Sequence, residues 1–310
     1  MASPIALALH GGCGTPTRVE LASEREARIR AGLDRALMAG WAELRAGRSA
    51  IEAVAAAVVV LEDDPEFNAG RGAVFTAAGT HELDACIMAG HGQRAGAIAG
   101  VSRIRNPILA ARAVMDRGEQ VLVAGAGAEA MAQAAGLAMV DPSFFSTDER
   151  RAALADVQRL QQRTGSMEGA SAAQRHGTVG AVALDRAGHL AAATSTGGFT
   201  NKAPGRVGDT PIPGAGTWAD EMVAVSMTGQ GEFMLRLAAA KEIAVRVAYR
   251  GVSLGPACAG MIRDLDQMQC GAGLVAVDRW GRVAMPYNTE GMFRAAITEA
   301  GGKTVAIYRD

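Results

Sequence analysis

The segment that decides the fold is His176-Gly177-Thr178-Val179-Gly180-Ala181-Val182. It begins where a polar stretch rich in small residues ends, and it continues into the most strand-like part of the chain, residues 178–184. A turn at residues 185–188 and a second strand-like run at residues 189–194 follow, a pattern that predicts a β-hairpin. A hydroxyl residue therefore opens the first strand of this hairpin, directly after a glycine.

The Gly177–Thr178 bond has the chemistry of a self-cleavage site. If the bond is cut, Thr178 acquires a free α-amine with a reference pKa of about 8, which can serve as the base for its own hydroxyl. The preceding glycine admits a strained backbone that a hydroxyl can attack. We therefore predict cleavage between Gly177 and Thr178 with Thr178 as the nucleophile, although an isolated threonine at this position is usually an ordinary strand residue.

Polar residues and glycines also follow other predicted strands. Side chains leave the sheet at such points, and a ligand can approach the backbone there. We interpret these segments as parts of one site: residues 194–198, 204–209 and 228–232.

The composition is that of a globular protein without a strongly charged surface. The chain has 310 residues, of which 49% are hydrophobic and 20% charged, and its formal net charge is -1. Because both signs are scattered along the chain, it has no basic stripe on which nucleic acid or an anionic membrane could dock. We expect a small-molecule partner, no nucleic acid and no membrane.

The cysteines, histidines and apolar runs bear on the cellular compartment, on a catalytic metal and on a membrane helix. Cys13, Cys86, Cys258 and Cys270 show no spacing typical of a disulfide pair or a zinc site, which favours a reducing cytoplasm. The five histidines do not cluster, so we expect no catalytic metal. The sequence shows no signal peptide and no apolar run near the ~20 residues of a membrane helix. We therefore expect a cytoplasmic protein.

The order of the predicted elements indicates an α+β fold. Strands come in adjacent pairs and so do helices, which fits two stacked, mainly antiparallel sheets between helix layers. One helix begins after Ser49, with Glu52 as its capping-box partner. The sequence also predicts a helix at residues 233–247 and a strand at residues 282–286. We predict a single domain, residues 1–310, cut into residues 1–177 and 178–310, with a flexible linker at about 160–177.

These segments resemble the plant-type L-asparaginase and isoaspartyl aminopeptidase family of N-terminal-nucleophile hydrolases. The resemblance implies a four-layer αββα sandwich, cleavage of the side-chain amide of L-asparagine and of the isopeptide bond of β-aspartyl dipeptides, and a homodimer of processed units. It covers nearly the whole chain, and the matching segments are residues 10–12, 67–70, 81–85, 100–107, 176–185 and 288–292.

The resemblance also implies how the reaction is catalysed. Thr178 is the nucleophile, and Thr196 lies beside it to orient or activate its hydroxyl. Thr228 and the Gly229 amide form the oxyanion hole, where donors stabilise charge that develops only in the tetrahedral state. Asn68 reaches into the site, although an asparagine in such a loop can also simply stabilise its own turn.

Substrate binding is implied for three further residues. Arg206 holds the substrate α-carboxylate with its planar fork. Asp209 takes the α-ammonium, and the Gly231 carbonyl adds a neutral acceptor. The alternative for Arg206 and Asp209 is a surface salt bridge of little energetic consequence.

The resemblance implies one structural cation and no organic cofactor. In this family a loop holds sodium through main-chain carbonyls. At the corresponding positions Asp64 and Arg71 are atypical, but carbonyl ligation does not depend on side chains. The expected ligands are the carbonyls of Leu61, Glu62, Asp64, Phe67, Ala69 and Arg71.

Three alternatives remain open from the sequence. A glycosylasparaginase would use the same residues, although Thr178-Val179-Gly180 resembles the asparaginase and isoaspartyl branch more. The strand-like residues 121–124 precede a Gly125-x-Gly127 pattern that superficially fits a dinucleotide site, with Asp141 earlier than usual for that fingerprint. A catalytically silent binding module would keep the fold without cleavage.

Overall fold

Two β-sheets lie face to face between layers of helices in the computed structural model, which describes residues 3–15, 17–19, 21–164 and 177–309. The strands are β1 (Ala6–Cys13), β2 (Leu83–Ala89), β3 (Arg94–Val101), β4 (Leu122–Ala124), β5 (Val179–Leu184), β6 (Leu190–Thr196), β7 (Thr217–Ala219), β8 (Val223–Gly229), β9 (Ala272–Asp278), β10 (Val283–Ala284), β11 (Met292–Thr298) and β12 (Gly302–Ala306). Within the described residues, one sheet has eight strands in the order β12-β11-β1-β5-β6-β2-β3-β4, and the other has four in the order β10-β9-β8-β7.

The helices begin and end at local sequence signals. Ser49 caps the second helix and forms the expected capping box with Glu52. Pro107 opens the third, and Gly118 ends it in the left-handed conformation. The α-helices are α1 (Ser23–Arg45), α2 (Ala50–Asp63), α3 (Pro107–Arg117), α4 (Gly125–Ala134), α5 (Asp148–Thr164), α6 (Gly231–Leu237), α7 (Ala239–Ala248) and α8 (Leu254–Gln267).

Alternate residues along the central strands pack into different hydrophobic layers. In β1, Leu7 and Leu9 belong to the hydrophobic core under α1 and α2, whereas Ala6 and Ala8 belong to the core between the sheets. The small sheet is covered on its other face by α7 and α8, in a core that includes Ile243. This arrangement confirms the four-layer αββα sandwich.

The predicted hairpin is confirmed, and it lies at the centre of the large sheet. Strands β5 and β6 pair antiparallel from Val179↔Ser195 to Leu184↔Leu190. Strand β5 also pairs with β1, where His10 is opposite Gly180. Thr178 therefore stands directly before a strand that is held on both sides.

Several boundaries differ from the sequence-based expectation. A helix expected at residues 233–247 is broken at Ala238, where φ is 47°, because the Gly214 and Ala215 carbonyls accept the amides of Lys241 and Ala240 and redirect the chain. A strand expected at residues 282–286 is reduced to β10. Strands β7 and β11 were not expected; β7 has only three residues, too few for a periodic pattern.

The structure describes only part of the expected linker at about 160–177. Residues 160–164 form the end of α5, so the helix continues further than the sequence indicated. Residues 165–176 lie outside the described residues. In the part of the chain that the structure covers, none of the helices combines the length and apolar character needed to cross a membrane.

Candidate active site

The hydroxyls of Thr178 and Thr196 lie side by side at one end of the central hairpin. The register that pairs Val179 with Ser195 makes Thr178 and Thr196 the next neighbours across the two strands. Their Oγ1 atoms are 3.1 Å apart, and Thr178 is 7% exposed. The amide of Gly198 donates to Thr196 Oγ1 at 2.9 Å, which fixes this hydroxyl from the other side.

Three donors converge on the carbonyl oxygen of Gly177. Thr178 Oγ1 lies 2.8 Å from it, Thr196 Oγ1 3.0 Å and Asn68 Nδ2 2.8 Å. The Asn68 amide is oriented by Val74, whose backbone N–H donates to Asn68 Oδ1 at 2.9 Å. Asn68 Nδ2 and Thr196 Oγ1 polarise this carbonyl and are already in place to stabilise a developing negative charge.

Thr228 and Gly229 end strand β8 beside the glycine-rich end of β1. The Cys13 amide donates to Thr228 Oγ1 at 3.3 Å, and Cys13 Sγ donates to the Thr228 carbonyl at 3.4 Å. Gly229 has a φ of 138°, and a Cβ at this position would collide with the carbonyl oxygen of Gly271. The backbone shape at Gly229 therefore requires glycine.

Arg206, Asp209 and Gly231 meet at one point. A Cβ on Gly231 would lie 2.6 Å from Asp209 Oδ1 and 3.1 Å from Arg206 Nη2. Arg206 stacks over the ring of Phe199, with the guanidinium carbon 4.7 Å from the ring centroid. The glycine at 231 thus leaves the two charged groups open toward the same small space.

Asp209 is a buried carboxyl whose two oxygens are not both hydrogen-bonded within the described residues. Burial raises its pKa to about 7, and the positive charge of Arg206 opposes this increase. Among the described residues, nothing donates a hydrogen bond to Asp209 Oδ2. A buried oxygen without a donor has a strong preference for a cationic or N–H ligand.

The ion-pair partner of Arg206 is Glu232 rather than Asp209. Glu232 Oε1 lies 2.9 Å from Nε and 2.8 Å from Nη2 of Arg206. The alternative interpretation, a simple surface salt bridge between Arg206 and Asp209, does not describe this arrangement.

Gly198 connects the threonine pair to the charged group. Its carbonyl accepts from Asn68 Nδ2 at 2.7 Å. A Cβ on Gly198 would lie 2.8 Å from Lys202 Cδ and 3.3 Å from Arg206 Nη1. The sequence-predicted residues around Thr178 and those around Arg206 therefore line neighbouring parts of one site.

The chain is similar to known proteins over nearly its whole length. The family model described as asparaginase matches residues 3–307. The isoaspartyl peptidase of Salmonella typhimurium is 47% identical over 308 residues, covering 98% of both chains. The plant-type L-asparaginase of Pyrococcus furiosus is 39% identical, covering 95% of this chain and 97% of the relative. The isoaspartyl peptidase/L-asparaginase of Bos taurus is 39% identical, covering 93% and 91%.

The chain belongs to the asparaginase family. The resemblance expected from the sequence is thereby confirmed, and with it the assignment of the chain as an enzyme of this family. Gly125, from the alternative dinucleotide pattern, opens α4 beside β4, a three-residue edge strand. The asparaginase family model also covers residues 121–127. The dinucleotide alternative therefore has no independent support.

Sequence reasoning missed two buried residues that lie close to Thr178 or contact a neighbour of it. His10 was recognised only as part of a matching segment, and Ser226 was not singled out. The His10 ring lies 2.9 Å from the Thr178 carbonyl through Nδ1 and 2.9 Å from Ser226 Oγ through Nε2. A histidine directly before two glycines, in the strand-like run that forms β1, was the available signal.

The loop expected to hold sodium curls back on itself. The Glu62 carbonyl accepts from the Arg71 amide at 2.7 Å, and the Asp64 carbonyl accepts from the Phe67 amide at 3.2 Å. A Cβ on Gly72, where φ is 107°, would lie 2.7 Å from the Phe67 carbonyl oxygen. Two of the expected sodium ligands, the carbonyls of Glu62 and Asp64, therefore accept hydrogen bonds from amides of the same loop, and each keeps a second lone pair. Within the described residues, no cluster of three or more His, Cys, Asp or Glu side chains could hold a metal.

Proposed function

We propose that this protein is a self-processed amidohydrolase that cleaves the side-chain amide of L-asparagine and the isopeptide bond of β-aspartyl dipeptides. The observation that carries the proposal is the position of the Thr178 hydroxyl, 2.8 Å from the Gly177 carbonyl oxygen and 3.1 Å from Thr196 Oγ1. The substrate class follows the names of its relatives, which are isoaspartyl peptidases and L-asparaginases.

Maturation begins with attack of Thr178 Oγ1 on the Gly177 carbonyl carbon. The negative charge on the carbonyl oxygen is stabilised by Asn68 Nδ2 and Thr196 Oγ1, which already point at it. Collapse of this intermediate breaks the Gly177–Thr178 C–N bond, and the proton lost by the hydroxyl passes to the Thr178 nitrogen, which leaves an ester and a free amine. Water then hydrolyses the ester, giving a Gly177 carboxylate and a Thr178 with free amine and hydroxyl.

Catalysis reuses the same oxygen. The freed Thr178 amine takes the hydroxyl proton, and Oγ1 attacks the substrate carbonyl carbon. Thr228 Oγ1 and the Gly229 N–H stabilise the oxyanion. The protonated amine passes its proton to the departing ammonia or amino acid, and water hydrolyses the resulting acyl-enzyme to release aspartate.

Arg206, Asp209 and Gly231 hold the amino-acid end of the substrate. Arg206 binds the α-carboxylate and Asp209 the α-ammonium, with the Gly231 carbonyl as a further acceptor. The convergence of the three groups supports this assignment, as does the unpaired Asp209 Oδ2 among the described groups. A substrate with both charges on one carbon matches this pair.

We also propose three features of the mature protein that follow from family membership. A structural Na⁺ is held by the carbonyls of Leu61, Glu62, Asp64, Phe67, Ala69 and Arg71. Its electrostatic attraction would fix the loop that carries Asn68, and no reaction step passes through it. The processed units form a homodimer. The protein works in the cytoplasm, in keeping with four cysteines that are all buried and unpaired.

Mass spectrometry and parallel assays of the purified full chain test the proposal. We expect fragments 1–177 and 178–310, roughly 18 and 14 kDa by their share of the 31.8-kDa chain. We expect hydrolysis of L-asparagine and of β-aspartyl-leucine, with a glycosylated asparagine as the comparison substrate. An active protein that consists wholly of uncut chain would contradict the mechanism, and preference for the glycosylated substrate would assign it to the glycosylasparaginase branch.

A further inference from the structure

His10 spans the gap between the two sheets directly beneath the proposed nucleophile. The residue is 0% exposed. One ring nitrogen faces the Thr178 carbonyl in the large sheet, and the other faces Ser226 Oγ on β8 in the small sheet. The proposed reaction steps described above do not use this histidine.

The two contacts determine where the ring carries its hydrogen. A carbonyl oxygen only accepts, so Nδ1 must donate to Thr178. Burial lowers the pKa of His10 to about 3, so the ring is neutral and carries this one hydrogen. Nε2 is therefore an acceptor, and Ser226 Oγ donates to it.

The chain of hydrogen bonds continues between the two sheets, from Ser226 on β8 to Thr194 on β6 of the large sheet and then to Thr217 on β7 of the small sheet. Because the Ser226 hydrogen is used on His10, Ser226 Oγ accepts from Thr194 Oγ1 at 2.7 Å. Thr194 Oγ1 accepts in turn from Thr217 Oγ1, also at 2.7 Å. A chain of buried hydroxyls thus ends on Nε2, fixing both the tautomer and the orientation of the ring.

Gly180 provides the space that this connection needs. A Cβ at this position would collide with Ser226 Oγ and lie 2.7 Å from His10 Nε2. Gly180 stands opposite His10 in the β1–β5 pairing. The absence of a side chain on this face of β5 therefore allows the ring to reach the second sheet.

The contact to Thr178 matters most after the chain is cut. A new terminus frays unless it is tied down, and the regular pairing of β5 with β6 begins only at Val179. The His10 Nδ1–H fixes the Thr178 carbonyl, and with it the Thr178–Val179 peptide plane that carries the Thr178 Cα. Both the free amine and the hydroxyl are attached through this Cα, so its position determines where they lie.

We propose that His10 is a positioning residue that holds Thr178 in reactive geometry after cleavage, through an Nδ1–H bond fixed by the Ser226, Thr194 and Thr217 hydroxyls. This inference rests on the proposed function, since it takes Thr178 as the nucleophile. It predicts that the Nδ1 contact, rather than the bulk of the ring, maintains turnover.

Two substitutions separate the two ends of the ring. His10→Asn places an amide donor near the Nδ1 position, whereas His10→Gln places one near Nε2 and cannot serve Thr178 in the same way. Both are made in the full chain, and kcat and KM for L-asparagine are normalised to the cleaved fraction. We expect His10→Gln to lose about 10²-fold in kcat with little change in KM, and His10→Asn to stay within about tenfold of wild type. Equal kcat in the two variants, or wild-type kcat in His10→Gln, would overturn the inference.

A measurement on the wild-type chain avoids any question of variant folding. Nitrogen-15 NMR of histidine-labelled protein, assigned by the signal lost in His10→Asn, reports which ring nitrogen carries the proton. We expect the Nδ1–H tautomer to persist across the neutral range. The Nε2–H tautomer would show that His10 does not donate to Thr178 and would overturn the inference. A wild-type chain that neither self-cleaves nor hydrolyses would instead contradict the proposed function itself.

Discussion

The guanidinium of Arg206 is held by Glu232, whose Oε1 lies within 3 Å of both Nε and Nη2, at 2.9 and 2.8 Å. The side chain of Glu232 is 52% exposed and that of Arg206 only 15%. A substrate carboxylate must therefore share Arg206 with a nearby like charge. Stacking on Phe199 gives Arg206 a second contact that does not depend on Glu232.

Replacing Glu232 with glutamine tests this competition. Glu232→Gln keeps the size of the side chain and removes its negative charge, while the Phe199 contact still orients Arg206. Since Glu232 is half exposed and its charge is screened, we expect a modest effect, a KM for L-asparagine lower by about two- to fivefold with unchanged kcat. Steady-state kinetics measure it. An increase in KM would mean that Glu232 orients Arg206 rather than competing for it.

Arg206→Lys preserves the charge and removes the planar fork. We expect KM to rise by about 10- to 100-fold, because a bidentate charge-assisted contact becomes a single one. Self-cleavage needs no substrate carboxylate, so the fraction of cut chain on a denaturing gel should match wild type. Equal losses in both reactions would show that Arg206 is structural.

The raised pKa of Asp209 predicts that kcat/KM falls on the acid side of its pH profile. Its pKa is raised to about 7 by burial, so the group is neutral at lower pH and cannot hold the substrate ammonium. As pH rises through about 7 the carboxylate forms, and kcat/KM should increase with it. The Thr178 amine, with a reference pKa of about 8, adds its own dependence.

Asp209→Asn separates the two titrations. The variant should bind substrate weakly at every pH, and its kcat/KM should lack the limb near pH 7 while keeping the one due to the amine. The profile is measured on both proteins in buffers of constant ionic strength. Identical profile shapes would show that Asp209 does not titrate in the free enzyme over this range.

Local signals predicted much of the fold, and long-range contacts account for what was missed. The capping box of Ser49 and Glu52 and the hairpin from Val179 depend on residues close in sequence. The helix break at Ala238 depends on carbonyls of a distant loop, which no local pattern reveals.

The same distinction between local signals and long-range contacts applies to the candidate site. The chemistry of Gly177–Thr178 is readable from adjacent residues, but Asn68 is 109 positions from Gly177, and His10 is 216 from Ser226. The resemblance to a family indicated Asn68 because that family uses it. It indicated no role for His10, whose contacts become visible only when the two sheets are stacked.

Thr196 and Ser195 form a matched pair, because neighbours on a strand face opposite sides. Thr196 Oγ1 faces Thr178, while Ser195 Oγ donates to the buried Glu62 carboxyl on the helix side at 2.6 Å. Thr196→Val keeps the branched shape and loses the hydroxyl, so we expect self-cleavage and kcat to fall by about 10²-fold.

Ser195→Ala is the control for Thr196→Val. It should keep near wild-type kcat and lower the melting temperature by about 2–4 °C, since it removes one buried hydrogen bond. Time courses of chain cleavage and thermal melts of both variants make the comparison. If Ser195→Ala lost as much activity as Thr196→Val, disruption of strand β6 rather than the Thr196 hydroxyl would explain the loss.

Thr178 itself has two proposed tasks, which substitutions can separate. The hydroxyl first attacks the Gly177 carbonyl and later, with the freed amine as base, attacks the substrate. Thr178→Ala should remain one full-length chain without hydrolysis and should still fold, because only a hydroxyl and a methyl are lost. Thr178→Ser keeps the oxygen but loses the methyl that restricts χ1, so it should cleave slowly and turn over poorly.

Mass spectrometry of the chain and assays on L-asparagine and β-aspartyl-leucine distinguish the outcomes for Thr178. Because Thr196 Oγ1 also lies 3.0 Å from the Gly177 carbonyl oxygen, it is the nearest hydroxyl that could substitute as the attacking group. Thr196 has no free amine beside it to act as its base, however, so it should not rescue turnover in Thr178→Ala. An uncut Thr178→Ala chain with near wild-type hydrolysis would show that Thr178 is not the nucleophile, and a cut but inactive one would assign the self-cleavage to another hydroxyl while leaving Thr178 responsible for catalysis.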